Sequence, residues 1–249
     1  MKFKHILQYK LFNFFSKKYS RIFNSFYRHK LNNNLNDLIK KEVKIKTIYD
    51  IGAYKGDWSN FLNKTSLQNK DFYLFEANKN NETYLKKLNF KYFIEVLSDQ
   101  KKEVIFYSKS RPGDSYFLEQ TSFYNDVIEE KRITNTLDNI VEKNNLPLPD
   151  FIKIDTQGSE IDILKGAKKS ILNCALIYLE CPIVEYNLGS PNLNGYIKYL
   201  NSIDFVSYDI CEVHHIDKLL VQIDILFLKK SIIKKIYPYK KLLNILNKN

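Results

Sequence analysis

The sequence predicts an α/β fold built on a mostly parallel β-sheet, and three observations support this prediction. Short apolar runs typical of strands alternate with helical stretches from residue 47 onward. The first run contains an acid, Asp50, which is followed by glycines at positions 52 and 56. The last two runs follow each other with no helix between them. Such alternation indicates parallel strands covered by helices on both faces, and the final two strands are expected to pair antiparallel.

Each strand is predicted from its own run of apolar and β-branched residues. The five parallel strands are assigned to residues 47–53, 71–77, 92–98, 150–156 and 175–181. An additional strand is expected at 103–108, and the antiparallel pair at 205–213 and 222–230. The helical stretches are "GDWSNFLNK", "NNETYLKKL" and "SEIDILKGAKKSI". Five parallel strands closed by such a hairpin are the order expected of class I, Rossmann-like methyltransferases.

Basic residues are concentrated at the two ends of the 249-residue chain. Residues 1–36 hold eight Lys or Arg, residues 229–249 hold seven Lys, and neither segment contains an acid. The whole chain has a formal net charge of +11, but residues 37–228 hold 24 basic and 28 acidic side chains, a net charge of −4. A nucleic-acid enzyme more often carries its basic patch around the catalytic cleft, so no nucleic-acid partner is expected.

The basic ends also define the predicted domain organisation. Residues 1–42 are expected to form a basic amphipathic helical extension, 43–230 the main domain and 231–249 a basic C-terminal helix, with the Asn-rich "NNNLND" at 32–37 as a joint. The tails mix Phe, Tyr, Ile and Leu with Lys and Arg. Two alternatives stay open: peripheral binding to an anionic membrane or a partner, and packing onto the domain.

The composition argues against several classes of protein. A transmembrane helix needs about 18 consecutive apolar residues, and the sequence contains no such run. The first thirty residues lack the apolar core and small-residue cleavage site of a signal peptide. Cys174, Cys181 and Cys211 are odd in number and have no metal-ligand spacing, which indicates buried free thiols. We therefore expect a cytoplasmic protein and leave association with the inner face of the membrane open.

Four acids lie at or near the ends of predicted parallel strands: Asp50, Glu76, Asp155 and Glu180. In open α/β sheets, ligands bind beyond the carboxyl ends of the strands. One acid at such a position is often a helix cap or a solvated strand end. Four acids along one rim favour a binding site.

The turn "DIGAYKG" after the first strand indicates which ligand this rim binds. A dinucleotide fingerprint beginning at Gly52 would need glycines where Tyr54 and Asp57 stand, which argues against the alternative of a nicotinamide-dependent oxidoreductase. A G-x-x-x-x-G-K-[ST] phosphate loop is absent from the sequence. Glu76, 26 residues after Asp50, is placed to accept hydrogen bonds from both ribose hydroxyls. Close backbone approach at Gly52 leaves room for an amino-acid tail, so S-adenosylmethionine suits the turn.

An ordered series of six segments runs from about Thr47 to Lys229. The segments are "YDIGAYKGDW", "FYLFEANKNNETYL", "EVLSDQKKEVIFY", "TLDNIVEKNNLPLPDFIKIDTQGSEIDILKGAKKSI", "ALIYLECPIVEYNLGSP" and "QIDILFL". This series resembles the FkbM family of S-adenosylmethionine-dependent methyltransferases. The chain departs from the family pattern at Tyr54, where Asn is usual, and at Ala77 and Lys79, which replace two prolines.

The resemblance implies a cofactor site made of residues at or after the ends of the first three predicted strands. These residues are Asp50, Gly52, Tyr54, Gly56, Glu76, Ser98 and Asp99. The glycine turn is expected to shape the methionine end of the cofactor, and Glu76 to hold its ribose. Ser98 and Asp99 are placed to meet the adenine. For Asp99, a purely structural role as a turn acid stays open.

Asp155 and Glu180 are expected to carry the chemistry. The methyl group of a sulfonium is already electrophilic, so much of the rate can come from aligning it with an acceptor oxygen. A sugar hydroxyl is a poor nucleophile and benefits from a base within hydrogen-bond reach. The two carboxylates, on adjacent predicted strands, could supply that base or could instead bind Mg²⁺ or Mn²⁺.

Five further residues are predicted near the acceptor: His214 as a general base, and Asp114, Ser115, Gln157 and His215 as substrate contacts. The resemblance implies an O-methyltransferase that acts on a sugar hydroxyl of a nucleotide-linked sugar or a surface-glycan precursor. A natural-product hydroxyl is an alternative acceptor. A further alternative is a non-catalytic protein that binds a membrane or a partner through its tails.

Overall fold

The computed structural model describes residues 29–109, 113–121 and 127–238. The strands in these residues are β1 Thr47–Ile51, β2 Asp71–Glu76, β3 Lys91–Ile94, β4 Glu103–Ser108, β5 Ile128–Ile133, β6 Phe151–Ile154, β7 Leu176–Pro182, β8 Phe205–Ile216 and β9 Leu219–Lys229. The helices are α1 Lys30–Lys40, α2 Asp57–Lys64, α3 Glu82–Leu85, α4 Leu137–Lys143, α5 Glu160–Lys165, α6 Leu193–Ser202 and α7 Lys230–Ile236, with a 3₁₀ turn at Lys79–Asn81. Residues 1–28 and 239–249 of the tails predicted at 1–42 and 231–249 lie outside the described residues.

The main sheet has seven strands in the order β3-β2-β1-β6-β7-β9-β8. β3, β2, β1, β6 and β7 are parallel, and β9 pairs antiparallel with both β7 and β8. The predicted class I methyltransferase order, with its terminal hairpin, is therefore confirmed. Strand order reverses between β1 and β6, so a ligand-binding crevice is expected at the carboxyl ends of these two strands.

β4 confirms the strand predicted at 103–108, but it lies outside the main sheet. It pairs antiparallel with β5 to form a separate two-stranded ribbon. The sequence pattern does not reveal β5, because "IEEKRI" carries four consecutive charged residues and is exposed along almost its whole length. Such a strand lacks the alternation of a half-buried strand and the apolar run of a buried one.

Helices cover both faces of the main sheet and enclose two apolar cores. One core contains Leu137 of α4 and Leu164 of α5, and the other contains Leu35 of α1 and Leu62 of α2. All four of these side chains are less than 2% exposed. The sheet is therefore buried on both sides, as its continuous apolar strands predict.

α1 corrects the expectation that residues 32–37 form a joint. Its leucines are buried against the sheet, and the Asn32 side-chain oxygen accepts hydrogen bonds from the hydroxyls of Thr65 at 3.1 Å and Ser66 at 2.6 Å. Asn clusters favour turns by themselves, but leucines at helical spacing bury one face of this segment and override that tendency. The described part of the N-terminal extension packs onto the domain, whereas the membrane alternative concerns residues outside the described ranges.

Two smaller predictions can be compared with the structure. Cys174, Cys181 and Cys211 are free and buried, as predicted. A C-terminal helix is predicted at 231–249; α7 begins at Lys230 and ends at Ile236, and residues from 239 onward lie outside the described ranges. Within the described part of the chain, none of the helices combines the length and apolar character needed to cross a membrane.

Candidate active site

A cavity of about 210 Å³ lies at the carboxyl ends of β1, β2, β6 and β7. It brings together eight of the predicted site residues: Gly52, Tyr54, Glu76, Asp114, Ser115, Asp155, Gln157 and Glu180. Its apolar walls are Ile51, Phe75, Val96, Leu97 and Phe106. Apolar walls with a few convergent polar groups are the usual form of a small-molecule site.

The turn after β1 has a backbone conformation that few residues tolerate. Gly52 has φ +71°, and a Cβ atom at this position would lie 1.9 Å from the backbone oxygen of Asp155. Tyr54 is also left-handed, with φ +50°, and its backbone N–H donates to the Glu76 carboxylate at 2.6 Å. The turn therefore lies directly against β6 and is held to the end of β2.

Glu76 ends β2 and is only 6% exposed. Its carboxylate accepts hydrogen bonds from the backbone N–H groups of Tyr54 and Asn78, at 2.6 and 2.8 Å, and from the Asn81 amide at 3.3 Å. Burial raises the pKa of Glu76 to about 7, and the three donors oppose this shift. A carboxylate offers about four acceptor directions, so Glu76 has room for about one more hydrogen bond, not the two that the sequence suggested.

The predicted adenine contacts after β3 need correction. Neither Ser98 nor Asp99 lines the cavity. The Ser98 hydroxyl is buried against Tyr116, and Asp99 pairs with Lys102 at 2.8 Å. β3 ends at Ile94, four residues before the predicted end of the strand. Residues 95–97 therefore occupy the rim of the sheet and face the cavity instead.

Asp50 is completely buried beneath the turn and does not line the cavity. It accepts a hydrogen bond from Ser59 at 2.6 Å and forms an ion pair of 3.0 Å with Lys153 of β6. Lys153 also donates to the Gly52 carbonyl at 2.8 Å. Burial alone lowers the pKa of Lys153, but Asp50 and then Asp155 outweigh it and raise the net pKa. Asp50 thus holds the turn through Lys153, which replaces the predicted direct contact with the cofactor.

Gly56 also lies behind the turn and outside the cavity lining. It has φ +77°, and a Cβ atom there would meet Leu88 at 2.4 Å. This glycine permits the turn into α2 and its close packing, so its position does not support the predicted cofactor contact.

Asp155 and Glu180 lie at one end of the cavity, and Gln157 links them. The Gln157 amide donates to Asp155 at 3.1 Å and to Glu180 at 2.7 Å. The Tyr186 hydroxyl is 3.1 Å from Glu180 and 2.8 Å from the side-chain oxygen of Gln222. Burial, followed by the charge of Asp155, raises the pKa of Glu180 well above its usual range. In its ionised form such a carboxylate is a stronger base than an exposed one, so it can accept a proton from a hydroxyl bound in the cavity.

The alternative role of Asp155 and Glu180 as metal ligands is not supported. The Gln157 amide donates to both carboxylates and so already satisfies one oxygen of each. In the described ranges, one group has three metal-type ligand atoms within 4.8 Å of one another, and it consists of Glu212, His214 and Asp224.

The predicted roles of His214 and His215 beside the substrate need correction. Both lie inside β8, because the hairpin extends beyond its predicted end, and neither lines the cavity. β9 separates their strand from β7. His214 turns towards Asp224, with Nε2 3.4 Å from Oδ1, whereas His215 is exposed. The Asp224 carboxylate raises the pKa of His214 above its usual range.

Asp114 and Ser115 reach the cavity from the loop after β4. The Asn78 amide donates to Asp114 at 2.6 Å, and Ser115 exchanges backbone hydrogen bonds with Tyr107 of β4 at 2.8 and 3.1 Å. Because the Asn78 backbone N–H also donates to Glu76, the contact with Asn78 places Asp114 at the Glu76 end of the cavity, and the ladder contacts hold Ser115 beside β4.

Sequence reasoning missed Lys153 and Tyr186, two residues that hold the site together. For Lys153 a signal exists, because a lysine inside the apolar run "DFIKIDT" of a central strand must find a buried partner. For Tyr186 the sequence offers no local signal, since it follows β7 in an irregular segment and meets Glu180 only through the fold.

The family model described as "Methyltransferase FkbM domain" matches residues 50–207. This range contains the whole cavity lining and every strand from β2 to β7. None of the curated proteins compared with the chain matches it.

Several solved structures are similar to this chain at low identity. Methyltransferase FkbM from Methylobacillus flagellatus KT is 18% identical with a TM-score of 0.46, over 73% of this chain and 43% of that one. The chain thus spans less than half the length of that protein. TrmK from M. capricolum, in complex with S-adenosyl-homocysteine, is 13% identical with a TM-score of 0.44, over 79% and 67% of the two chains. Magnesium protoporphyrin IX methyltransferase (ChlM) from Synechocystis PCC 6803, with bound SAM, is 7% identical with a TM-score of 0.46, over 82% and 80%.

Proposed function

This chain belongs to the FkbM methyltransferase family, and from that premise we propose that it transfers a methyl group from S-adenosylmethionine to a sugar hydroxyl. The acceptor is expected to be a nucleotide-linked sugar or the precursor of a surface glycan such as capsule, lipopolysaccharide or O-antigen. The observation that carries this proposal is the Asp155–Gln157–Glu180 group at one end of a cavity that also contains Glu76.

The residues present fit S-adenosylmethionine, which supplies an electrophilic methyl group when bound. Glu76 retains about one acceptor direction for a ribose hydroxyl, and Val96, Leu97 and Phe106 offer apolar surface for an adenine ring. Gly52 lies in close contact with the end of β6, which is possible because the turn has no side chain at this point. These features support a nucleoside at the β2 end of the cavity and an amino-acid tail at the β1 turn.

Glu180 is assigned as the general base and Asp155 as its neighbour at the cavity opening. Asp155 is 40% exposed and so can accept a hydrogen bond from an entering hydroxyl. Gln157 fixes the spacing of the two carboxyl groups. A base placed in this way contributes about 10²–10⁴-fold to the rate, and alignment of the hydroxyl with the methyl group contributes the rest.

The polar character of the acceptor end supports a sugar over a polyketide-type acceptor. Asp155, Gln157, Glu180 and Tyr186 are all hydrogen-bonding side chains, and they are linked to one another. A sugar offers several hydroxyls to the carboxylate oxygens that Gln157 and Tyr186 do not already satisfy. An apolar acceptor would leave those oxygens unsatisfied, which is costly in a buried site.

The test is methyl transfer from isotopically labelled S-adenosylmethionine to a panel of nucleotide-linked sugars and phenolic or polyketide-type hydroxyls. Label is expected in a sugar, with turnover lost in Glu180→Gln and retained in Glu142→Gln, which changes an exposed acid on α4. Binding of S-adenosylmethionine to Glu180→Gln should stay unchanged. Label only in a phenolic or polyketide-type acceptor, or full turnover by Glu180→Gln, would contradict the proposal.

A further inference from the structure

We propose that Glu212, His214 and Asp224 form a binding site for one divalent cation such as Zn²⁺, Mn²⁺ or Fe²⁺. His214 Nε2 lies 3.4 Å from Asp224 Oδ1 and 3.8 Å from Glu212 Oε2, and one ligand atom from each residue lies within 4.8 Å of the other two. Metal–ligand bonds of about 2.0–2.1 Å place two ligands of a tetrahedral ion about 3.4 Å apart. The two distances from His214 are therefore close to the ligand spacing of a coordination shell, and the third pair lies within 4.8 Å.

The strand pairing explains why these side chains converge. Glu212 and Asp224 are direct partners in the β8–β9 ladder, so their side chains project from the same face of the sheet. His214 follows Glu212 by two residues and shares that face. The site is thus built on two paired strands, which hold ligands more firmly than a loop does.

A second observation concerns the ring nitrogen itself. His214 Nε2 is shielded from solvent, and among the described residues it has ion-pair contacts with Asp224 and Glu212 but no partner in hydrogen-bond geometry. Its distances to the two carboxylates are longer than a normal hydrogen bond. A shielded polar atom without a partner is uncommon in folded proteins, and a cation between the three side chains would satisfy it.

The Asp224 ligand is also oriented by its own neighbours. Its Oδ2 atom accepts a hydrogen bond from the Tyr178 hydroxyl at 3.0 Å, and the Gln222 amide lies 3.4 Å from Oδ1. Metal-binding carboxylates are commonly held by such outer hydrogen bonds. Tyr178 is itself buried on the central part of the sheet, so the carboxylate has a fixed direction towards His214.

The donor set indicates the class of ion. One imidazole nitrogen and two carboxylate oxygens suit Zn²⁺, Mn²⁺ or Fe²⁺, whereas Mg²⁺ and Ca²⁺ prefer oxygen ligands alone. Three protein ligands leave at least one coordination position open. The His214 and Glu212 side chains are 42% and 33% exposed, so an ion can enter from solvent and exchange.

The experiment measures metal binding by the full chain without an affinity tag after chelator treatment. Calorimetric titration with Zn²⁺ and Mn²⁺ should give one ion per chain, and Co²⁺ should give ligand-field absorption bands that depend on His214. We expect His214→Gln and Asp224→Asn each to weaken binding at least about tenfold. His215→Gln is the matched control, because it removes the adjacent, exposed histidine of the same strand, and it should bind as the wild type does.

Three outcomes would overturn the proposal. They are a wild-type chain that binds none of the three ions, equal affinity in His214→Gln and the wild type, and equal losses in His214→Gln and His215→Gln. Circular dichroism of each variant identifies any loss that comes from misfolding. If Asp224→Asn fails to fold, Glu212→Gln takes its place, because Glu212 lies nearer the surface. Methyl transfer is not needed for this test, so its result is independent of the proposed function.

Discussion

Replacing Glu76 by Gln tests the assignment of the cofactor site most sharply. Three donors surround this carboxylate: the backbone N–H groups of Tyr54 and Asn78 and the Asn81 amide. The burial that raises its pKa to about 7 also means that a ribose hydroxyl would meet it away from bulk water. The substitution keeps the size of the side chain and removes the charge that the hydroxyl prefers.

The expected magnitude follows from the difference between charged and neutral acceptors. A hydrogen bond to a charged group is worth about 1.5–3 kcal/mol and one between neutral groups about 0.5–1.5 kcal/mol. Loss of about 1.4 kcal/mol corresponds to tenfold weaker binding of S-adenosylmethionine. With a pKa of about 7, the ionised fraction of Glu76 rises from roughly a tenth at pH 6 to roughly nine tenths at pH 8. If the neutral form binds about tenfold more weakly, wild-type affinity should therefore rise about fivefold over this range, and Glu76→Gln should lose the rise.

The same residue predicts the sign of a stability change in the ligand-free protein. A raised pKa means that the folded chain holds the Glu76 proton more tightly than the unfolded chain does. Its stabilising contribution is therefore complete at low pH and is lost as the pH increases from about 4.5 to about 7. Glu76→Gln should flatten this part of the stability profile.

Calorimetric titration with S-adenosylmethionine at pH 6, 7 and 8 measures the affinities, and chemical denaturation at the same pH values measures stability. Glu82→Gln is the control, because it alters an acid of α3 that lies outside the cavity lining. Equal affinity of Glu76→Gln and wild type at pH 8 would refute the reasoning, as would the same pH dependence in both proteins.

Three other substitutions test separate parts of the site. Gly52→Ala should abolish cofactor binding, because its Cβ would overlap the backbone oxygen of Asp155, which directly follows β6. Gly189→Ala, with φ +77° but open space around it, should bind normally in the same titration. Lys153→Met should lower the free energy of unfolding by about 3–5 kcal/mol in denaturant melts, since it leaves the buried Asp50 charge unpaired; a loss under 1 kcal/mol would contradict the ion pair. Glu180→Gln should reduce kcat about 10²–10⁴-fold with unchanged cofactor affinity; weaker cofactor binding with normal kcat would refute its role as base.

Much of the fold could be predicted from the sequence because the buried parallel strands are continuous apolar runs. Apolar runs do not show where a strand ends, because polar residues determine that boundary. β3 ends at Ile94 although the apolar residues Val96 and Leu97 follow Glu95, and the predicted adenine contacts after the strand lie outside the cavity lining. β8 continues through His214 and His215 because β9 supplies partners for a long hairpin, which no local pattern reports.

The candidate site was predictable where a residue lies within two positions of a strand end and also faces the cavity. Glu76, Asp155 and Glu180 meet this condition. Asp50 does not, because its side chain points beneath the turn to Lys153, and a sequence cannot show which side of the sheet a rim acid faces without the register. Tyr186 reaches Glu180 only through tertiary packing, so it could not be identified beforehand.

Calorimetric titration of the wild-type chain with S-adenosylmethionine, beside an identical titration with NADH, tests the central claim most directly. We expect saturable binding of one S-adenosylmethionine per chain and no binding of NADH, because the turn at Gly52 lacks the central glycine of a dinucleotide site. Binding of NADH, or the absence of heat with S-adenosylmethionine, would contradict the assignment of this cavity as a methyltransferase cofactor site.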